Sequence, residues 1–399
     1  MKKRFPPRLA LRGATAITLA ALGLHAQAQT APAPADAKPA EAKPAEPPPP
    51  PPPIFSIGGF DLTGHFDMAY THLSGSGKFV SGANDRVFDF KRDDFIFHAL
   101  DLQLAKTPDN GFGGLLDVTI GKDADTIAAY GTIDKDKGPA NGAHHYFDVT
   151  QAYLHYGAAP FTIIAGKFVT LAGAEVIKSD GDTNYSRSIL FGYAIPFTHT
   201  GVRATYKMSD ALSFIAGVNQ GWDAVSDVNS DKTVELGATY APTKEMSFAA
   251  AYYGGKSLVS YYPKSVGVKG ERNLLDLVGT FTLSEQVTLI LNYDYGSQEA
   301  LGSKAKWDGL AGYLNYQFND QWRVSLRGEY FDDKDGYRTG IVQKWKEGTL
   351  TLAYLPSKPL EIRAEVRADK SDVPAFLKSD GVGTTDKQHS VGLEVLYKF

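Results

Sequence analysis

Residues 389–399 read HSVGLEVLYKF, and their alternation decides the fold. Val391, Leu393, Val395, Tyr397 and Phe399 interleave with Ser390, Gly392, Glu394 and Lys398. An extended backbone turns successive side chains to opposite faces, so one face here is apolar and the other mostly polar. A strand of a soluble sandwich can carry the same pattern. Here, however, it recurs about sixteen times upstream, behind an export signal. The stretch reads as the closing strand of a transmembrane antiparallel β-barrel, which must pair with the first strand so that no backbone edge faces lipid. The expected fold class is all-β with sixteen strands. Strand ends read to within a few residues leave fourteen or eighteen open.

The export signal lies in residues 1–28. A basic start, MKKRFPPRLALRG, precedes the apolar run GATAITLAALGL and an Ala26-Gln27-Ala28 cleavage site. The apolar run is too short for a spanning helix, which needs about 20 residues. No cysteine occurs, so disulfides and lipid attachment at cysteine are excluded. Cleavage near Ala28 removes five Lys/Arg and no acid, leaving 36 basic against 45 acidic residues, or −9. That balance argues against nucleic acid as a partner. Abundant Tyr (21), Phe (22) and Gly (40) suit barrels, which place aromatics at both membrane interfaces and glycine at bends.

Residues 29–56 form a proline-rich stretch that favours extended polyproline II, read as a disordered periplasmic spacer. A docking segment, with cell-wall contact, is the alternative. From 57 to 399 the chain becomes hairpins. Strands are expected near 58–72, 92–105, 112–121, 146–156, 161–168, 198–207, 212–221, 233–241, 246–254, 272–283, 287–296, 308–318, 322–331, 343–355, 360–369 and 389–399. Seven short turns, such as PTKE (242–245) and PSKP (356–359), alternate with eight long polar loops at 73–91, 122–145, 169–197, 222–232, 255–271, 297–307, 332–342 and 370–388. Short periplasmic turns and long outer loops are the asymmetry of bacterial barrels. A soluble sandwich would show short turns at both ends, and a solenoid would show a fixed repeat.

Sixteen strands enclose an aqueous channel, whereas eight are filled by side chains. The inward positions are charged, among them His65, Asp67, Asp117, Arg203, Glu235, Asp276, Asp294, Glu329, Glu361, Glu365 and Glu394. The plainest reading is a wetted wall. Loop 169–197 is too apolar to lie in water: Leu171, Val176, Ile177, Ile189, Leu190 and Phe191 need burial. Folding into the barrel would provide it and narrow the pore. Glu175, Asp180 and Asp182 on this loop would then face Arg323, Arg327, Arg363 and Arg367 on the opposite wall, setting a transverse field that sorts solutes. Two alternatives stand beside it. The loop could pack on the rim or a neighbouring subunit, as in a homo-oligomer. The arginines could pair only with Glu329, Glu361 and Glu365.

The runs AGKFVTLAGAEVI (165–177) and YSRSILFGYAIPFTHTGVRATY (185–206) resemble the OmpL-like β-barrel porins, and the likeness extends from about Gly58 to Phe399. The terminal Phe after alternating apolar residues also resembles the insertion signal of bacterial outer-membrane proteins. The resemblance implies an outer-membrane barrel of porin type. It carries over no catalytic or ligand residue.

Catalysis has little support. His72, His389 and Ser390 meet at the outer seam, where a lipase-like hydrolase would need Ser, His and an orienting acid, yet no GxSxG occurs. His65 and Asp67 are explained by the lumen wall. His144-His145, the acids at 123, 125, 134 and 136, and DDKDG (332–336) lack calcium-loop or metal spacing, and Gly75–Lys78 is no phosphate loop. No metal or cofactor is expected. The expected function is passive diffusion of small hydrophilic solutes across the outer membrane, among lipid and lipopolysaccharide. A structural barrel that anchors the cell wall through the spacer is the alternative, with a rim hydrolase behind it.

Overall fold

The computed structural model describes residues 55–129, 146–226, 230–260, 267–300 and 302–399. Residues 1–28, read as a signal peptide, most of the stretch read as a spacer, and residues 134, 136, 144 and 145 lie outside them. Sixteen long strands form the barrel: β1 (Phe60–Leu73), β2 (Asp94–Lys106), β3 (Asn110–Ile120), β4 (Phe147–Ala158), β5 (Phe161–Val169), β6 (Thr198–Lys207), β7 (Leu212–Asn219), β8 (Thr233–Thr243), β9 (Met246–Ser260), β10 (Gly267–Thr282), β11 (Val287–Ala300), β12 (Ser303–Asn319), β13 (Trp322–Asp333), β14 (Gln343–Ser357), β15 (Leu360–Ser371) and β16 (Lys387–Lys398). Each pairs antiparallel with its neighbours, and β1 pairs with both β2 and β16, which closes the ring.

Closure is tight at the seam. The Phe399 amide donates to the Gly64 carbonyl (2.9 Å), and the Gly64 amide donates to the Phe399 carbonyl (2.8 Å). A Cβ on Gly64 would lie 2.2 Å from the Asp101 carbonyl and 2.8 Å from the Phe399 ring, so the seam needs glycine there. Phe55–Ile57 folds back on Phe60–Leu62 as a short extra strand, so the last residues read as spacer belong to the sheet.

Side-chain parity follows the alternation. Leu326, Leu350, Leu352, Val366, Val391 and Leu393 stand exposed on the outer face, while Arg327, Thr349, Thr351, Glu365 and Glu394 are turned inward and buried. Aromatic pairs stand at both ends of this apolar band. Phe112–Tyr156 (4.7 Å), Phe161–Tyr206 (4.9 Å) and Trp322–Tyr354 (4.6 Å) sit at the short-turn end, and Tyr70–Phe95 (4.9 Å) sits towards the other. Such girdles suit the two membrane interfaces.

The outer connections differ from expectation in two places. Residues 297–307, read as a long loop, are a hairpin in which β11 and β12 pair to Ala300↔Ser303. Residues 255–271 are mostly strand as well, since β9 runs to Ser260 and β10 starts at Gly267. Charged and glycine-containing ends hid both extensions, because ladder pairing there overrides weak β-propensity. Loops 1 and 8 join in a small sheet of Gly75–Phe79, Phe376–Lys378 and Thr384–Thr385. Loop 2 begins with the helix Lys122–Ile127.

Candidate functional site in the lumen

Segment 170–197, between β5 and β6, lies inside the ring, and its contacts reach strands all around it. The Leu171 amide donates to the Tyr253 hydroxyl on β9 (2.8 Å), and the Ala174 amide to Asn292 Oδ1 on β11 (3.1 Å). On β1, the Ser179 hydroxyl donates to Asp67 (2.5 Å). On β12, the Trp307 indole donates to the Ala194 carbonyl (3.1 Å).

Two wall carboxylates each take a pair of consecutive amides. Glu365 on β15 accepts from Tyr185 (2.8 Å) and Ser186 (3.1 Å), and Glu329 on β13 accepts from Ile189 (2.9 Å) and Leu190 (3.1 Å). At the start of the short π-helical turn Leu190–Ala194, Glu329 satisfies the first open amides and the Ser188 hydroxyl accepts from the Phe191 amide (2.9 Å). Arginines serve the carbonyls. Arg363 donates to Asp182 (2.7 Å) and Ser179 (3.1 Å), Arg367 to Arg187 (2.7 Å), and Arg327 to Ser186 (2.5 Å).

The seven residues singled out in the sequence divide as follows. Glu175 meets Arg327 directly, Oε1 to Nη1 at 2.8 Å. Asp182 turns its carboxylate to Arg187 of the same segment (2.9 Å) and offers only its carbonyl to Arg363. Asp180 faces no arginine; it lies 3.6 Å from His65 on β1. Arg323 pairs with Glu361 and, among the described residues, makes no hydrogen bond or ion pair to the segment. Arg363 also holds Glu361 (2.7 Å) and Glu394 (3.0 Å), Arg327 holds Glu347 (2.7 Å), and Arg367 holds Asp369 (2.8 Å). Arg327, Arg363 and Arg367 therefore both pair with wall acids and dock the segment.

The wetted wall of the sequence reading is, in this structure, a covered one. Arg327, Arg363 and Arg367 are 3 %, 0 % and 3 % exposed. The apolar residues of the segment explain why. Leu171, Ile189, Leu190, Phe191, Ala194 and Ile195 pack with inward Tyr253, Leu274, Trp307, Tyr313, Phe331 and Trp345, and with Phe79, Val87 and Phe88 of loop 1. Phe79 sits edge-on to Trp345 (5.2 Å) and stacks on Phe376 (5.6 Å). These side chains form an apolar core inside the ring towards the long-loop end. Its signal in the sequence was the shared parity of Trp307, Phe331 and Trp345 with polar lumen positions.

On the β2–β3 side the segment reaches the wall through Lys178, which pairs with Asp101 (2.5 Å) and Asp117 (3.1 Å). Burial alone would lower the Lys178 ammonium, but Asp117 and Asp101 hold it above its ordinary value. Nearby, Asp123 takes a hydrogen bond from His98 (2.8 Å), whose other ring nitrogen meets the Tyr185 hydroxyl (3.0 Å), and that hydroxyl meets Thr71 (2.8 Å). Sequence reasoning missed Arg187, Glu347 and Asp369, which complete these networks.

The residues considered for other chemistry have structural partners. His72 pairs with Asp93 (2.5 Å) on the exposed rim. His389 is exposed on the outer face and Ser390 buried on the inner, so the two cannot share a proton. Lys122 pairs with Asp125 (2.6 Å). In the 332–336 turn, Asp333 accepts from the Arg338 and Thr339 amides, and Lys334 pairs with Asp308.

Solved structures similar to this fold are outer-membrane proteins. The outer membrane channel DcaP of Acinetobacter baumannii aligns with TM-score 0.59 at 17 % identity, over 87 % of this chain and 100 % of that one. OmpT, an outer membrane protein of Vibrio cholerae solved as a trimer, aligns with TM-score 0.59 at 12 % identity, over 85 % and 99 %. The anion-selective porin of Comamonas acidovorans aligns with TM-score 0.58 at 12 % identity, over 85 % and 99 %. These likenesses show the fold. A search of curated proteins gave no match. The sequence profile of the family described as β-barrel porin-2, OmpL-like, matches residues 59–399, and the chain belongs to that outer-membrane porin family.

Proposed function

We propose that the protein passes small hydrophilic solutes and ions by diffusion, through a route narrowed by segment 169–197, and carries out no catalysis. Glu175, Asp180 and Asp182 on the segment, with Arg323, Arg327, Arg363 and Arg367 on the wall, form the constriction set. The observation that supports this is the Glu175–Arg327 ion pair, which ties the segment to the far wall. On this reading the segment carries charge into the lumen, where a low dielectric strengthens field effects on ions. Export through cleavage near Ala28, contact with lipopolysaccharide and homo-oligomer formation belong to the same reading.

The test is single-channel conductance and reversal potential in a planar bilayer, for the wild type and for Glu175→Gln/Asp180→Asn/Asp182→Asn. Steady conductance with altered ion selectivity in the variant is expected. Selectivity unchanged by the replacements would remove the constriction set. A second reading, a structural barrel that anchors the cell wall through residues 29–56, is favoured by the apolar core in the outer lumen. It predicts no conductance from folded protein, and a weakened envelope when residues 29–53 are deleted.

A further inference from the structure

Three lysines stand in one row across three neighbouring strands. Lys346 on β14 pairs directly with Lys370 on β15, and Lys370 with Lys387 on β16. All three are exposed on the outer face. Directly opposed side chains lie about 4.5–5.5 Å apart at Cβ, so like charges there repel. No carboxylate of the described residues lies within ion-pair distance of any of them; Lys346 has only the Tyr330 ring, 5.8 Å away. An anion from outside the chain would relieve that repulsion.

The rows beneath say which anion. Four residues towards the membrane centre on each strand come Leu350, Val366 and Val391, themselves paired across the strands and 43–50 % exposed. At about 3.4 Å per residue and the usual tilt, the lysines stand roughly 10 Å above this lipid-facing row. They are at the long-loop end, hence at the outer leaflet. Between the two rows lie Gly348, Ala368 and His389, also paired in register. Ala368, whose ladder partner is Gly348, lines a recess of about 350 Å³ that Lys346, Lys370, Lys387 and His389 also border. Glu347 and Asp369 border it as well, but their side chains turn inward to Arg327 and Arg367 and do not repel an anion.

We propose that Lys346, Lys370 and Lys387 bind the phosphate groups of an outer-leaflet glycolipid, lipopolysaccharide. Its sugar fits the recess over Ala368 and His389, and its acyl chains lie along Leu350, Val366 and Val391. Apolar wall, small-residue recess and cation row follow one another in the order of acyl chain, sugar and phosphate along the membrane normal. The proposal rests on the outer-membrane setting of the barrel and not on conduction.

The test uses purified folded barrel, stripped of bound lipid and titrated with rough lipopolysaccharide by native mass spectrometry. Lys346→Gln/Lys370→Gln/Lys387→Gln should bind on the order of 100-fold more weakly, since each lysine near an anionic surface contributes several-fold. Lys244→Gln/Lys358→Gln, at the opposite end of the barrel, should bind as the wild type does. Lipopolysaccharide stripped of its phosphates should bind the wild type as weakly as the intact glycolipid binds the triple variant. Equal binding of intact glycolipid by wild type and triple variant would overturn the site. Saturation by inorganic phosphate alone at the same affinity would overturn the glycolipid assignment. Conductance is read separately, so loss of glycolipid with unchanged conductance supports this site and leaves the porin reading standing.

Discussion

Replacing Arg327 by Met tests whether the inserted segment is held by the wall or merely rests on it. The Arg327 guanidinium donates to Glu175 (2.8 Å) and to the carbonyl (2.5 Å) and hydroxyl (3.0 Å) of Ser186 on the segment, and to Glu347 (2.7 Å) and Thr349 (3.3 Å) on the neighbouring strand. Methionine keeps much of the volume and removes every donor. Deleting one partner of a buried ion pair costs about 3–5 kcal/mol, largely because the other charge is left unpaired. The bonds divide between segment and wall, so roughly half of that, about 2 kcal/mol, falls on docking. At about 1.4 kcal/mol per factor of ten, the undocked population rises roughly 30-fold. In single-channel records this appears as more frequent excursions to a larger conductance. Glu175→Gln added to Arg327→Met removes the stranded carboxylate, so the two effects should fall short of additive. A folded Arg327→Met barrel with wild-type conductance, noise and selectivity would refute the docking argument.

Three further outcomes are expected. Trp307→Ala empties an indole that is fully buried, donates to Ala194 and stacks on Tyr337 (6.0 Å); it should cost about 3–5 kcal/mol, seen as lower heat resistance in gel-shift unfolding and faster proteolysis of segment 170–197. Deleting Phe399 removes two seam hydrogen bonds, and Gly64→Val drives a side chain into the Asp101 carbonyl; either should cut the yield of heat-modifiable folded barrel, and full yield from both would refute the seam argument. Burial pushes Asp85 of loop 1 up to about 7 from 3.8, against the pull of Arg86. The folded state then keeps a proton that the unfolded chain has lost, so this contribution to stability falls as pH rises from about 4 to about 7. Amide exchange around residues 80–90 should be faster at pH 8 than at pH 5 after correction for intrinsic rates, and Asp85→Asn should flatten the difference.

Strands were legible because lipid imposes parity. Charges such as Arg363 and Glu365 cannot alternate with Ile362 and Val366 unless one face is hidden from lipid, and that constraint acts along the whole strand. Where it lapses, beyond the membrane, the reading failed: Ser297↔Lys306 and Gln298↔Ala305 are ladder pairs that no apolar alternation announces. The insertion of segment 170–197 was legible from its unhoused Ile189, Leu190 and Phe191. Its partners were not, since parity assigns a face and not a depth. Trp345 and Thr351 share the lumen face of β14, yet one joins the apolar core and the other a polar layer that takes Asn184 (2.7 Å).

The same depth argument bears on why the wall is charged at all. A segment laid across a lumen and covered by an apolar core loses water from its amides and carbonyls, and each such group must find a partner. Irregular backbone cannot supply those partners from itself as a helix or ladder does. Glu329 and Glu365 supply two acceptors apiece for four amides, and Arg327, Arg363 and Arg367 supply donors for carbonyls at Ser179, Asp182, Ser186 and Arg187. Acids and arginines alternate along the inner face of β15, from Glu361 to Asp369, and this row meets both amides and carbonyls of the docked backbone. On this view the charges are first a socket for the segment, and any field felt by a solute is what the socket leaves unneutralised. Glu365→Gln separates the two roles, since the amide keeps one acceptor and adds a donor facing two N–H groups. A socket predicts a loosened segment and larger conductance, whereas a pure field element predicts a change in selectivity alone.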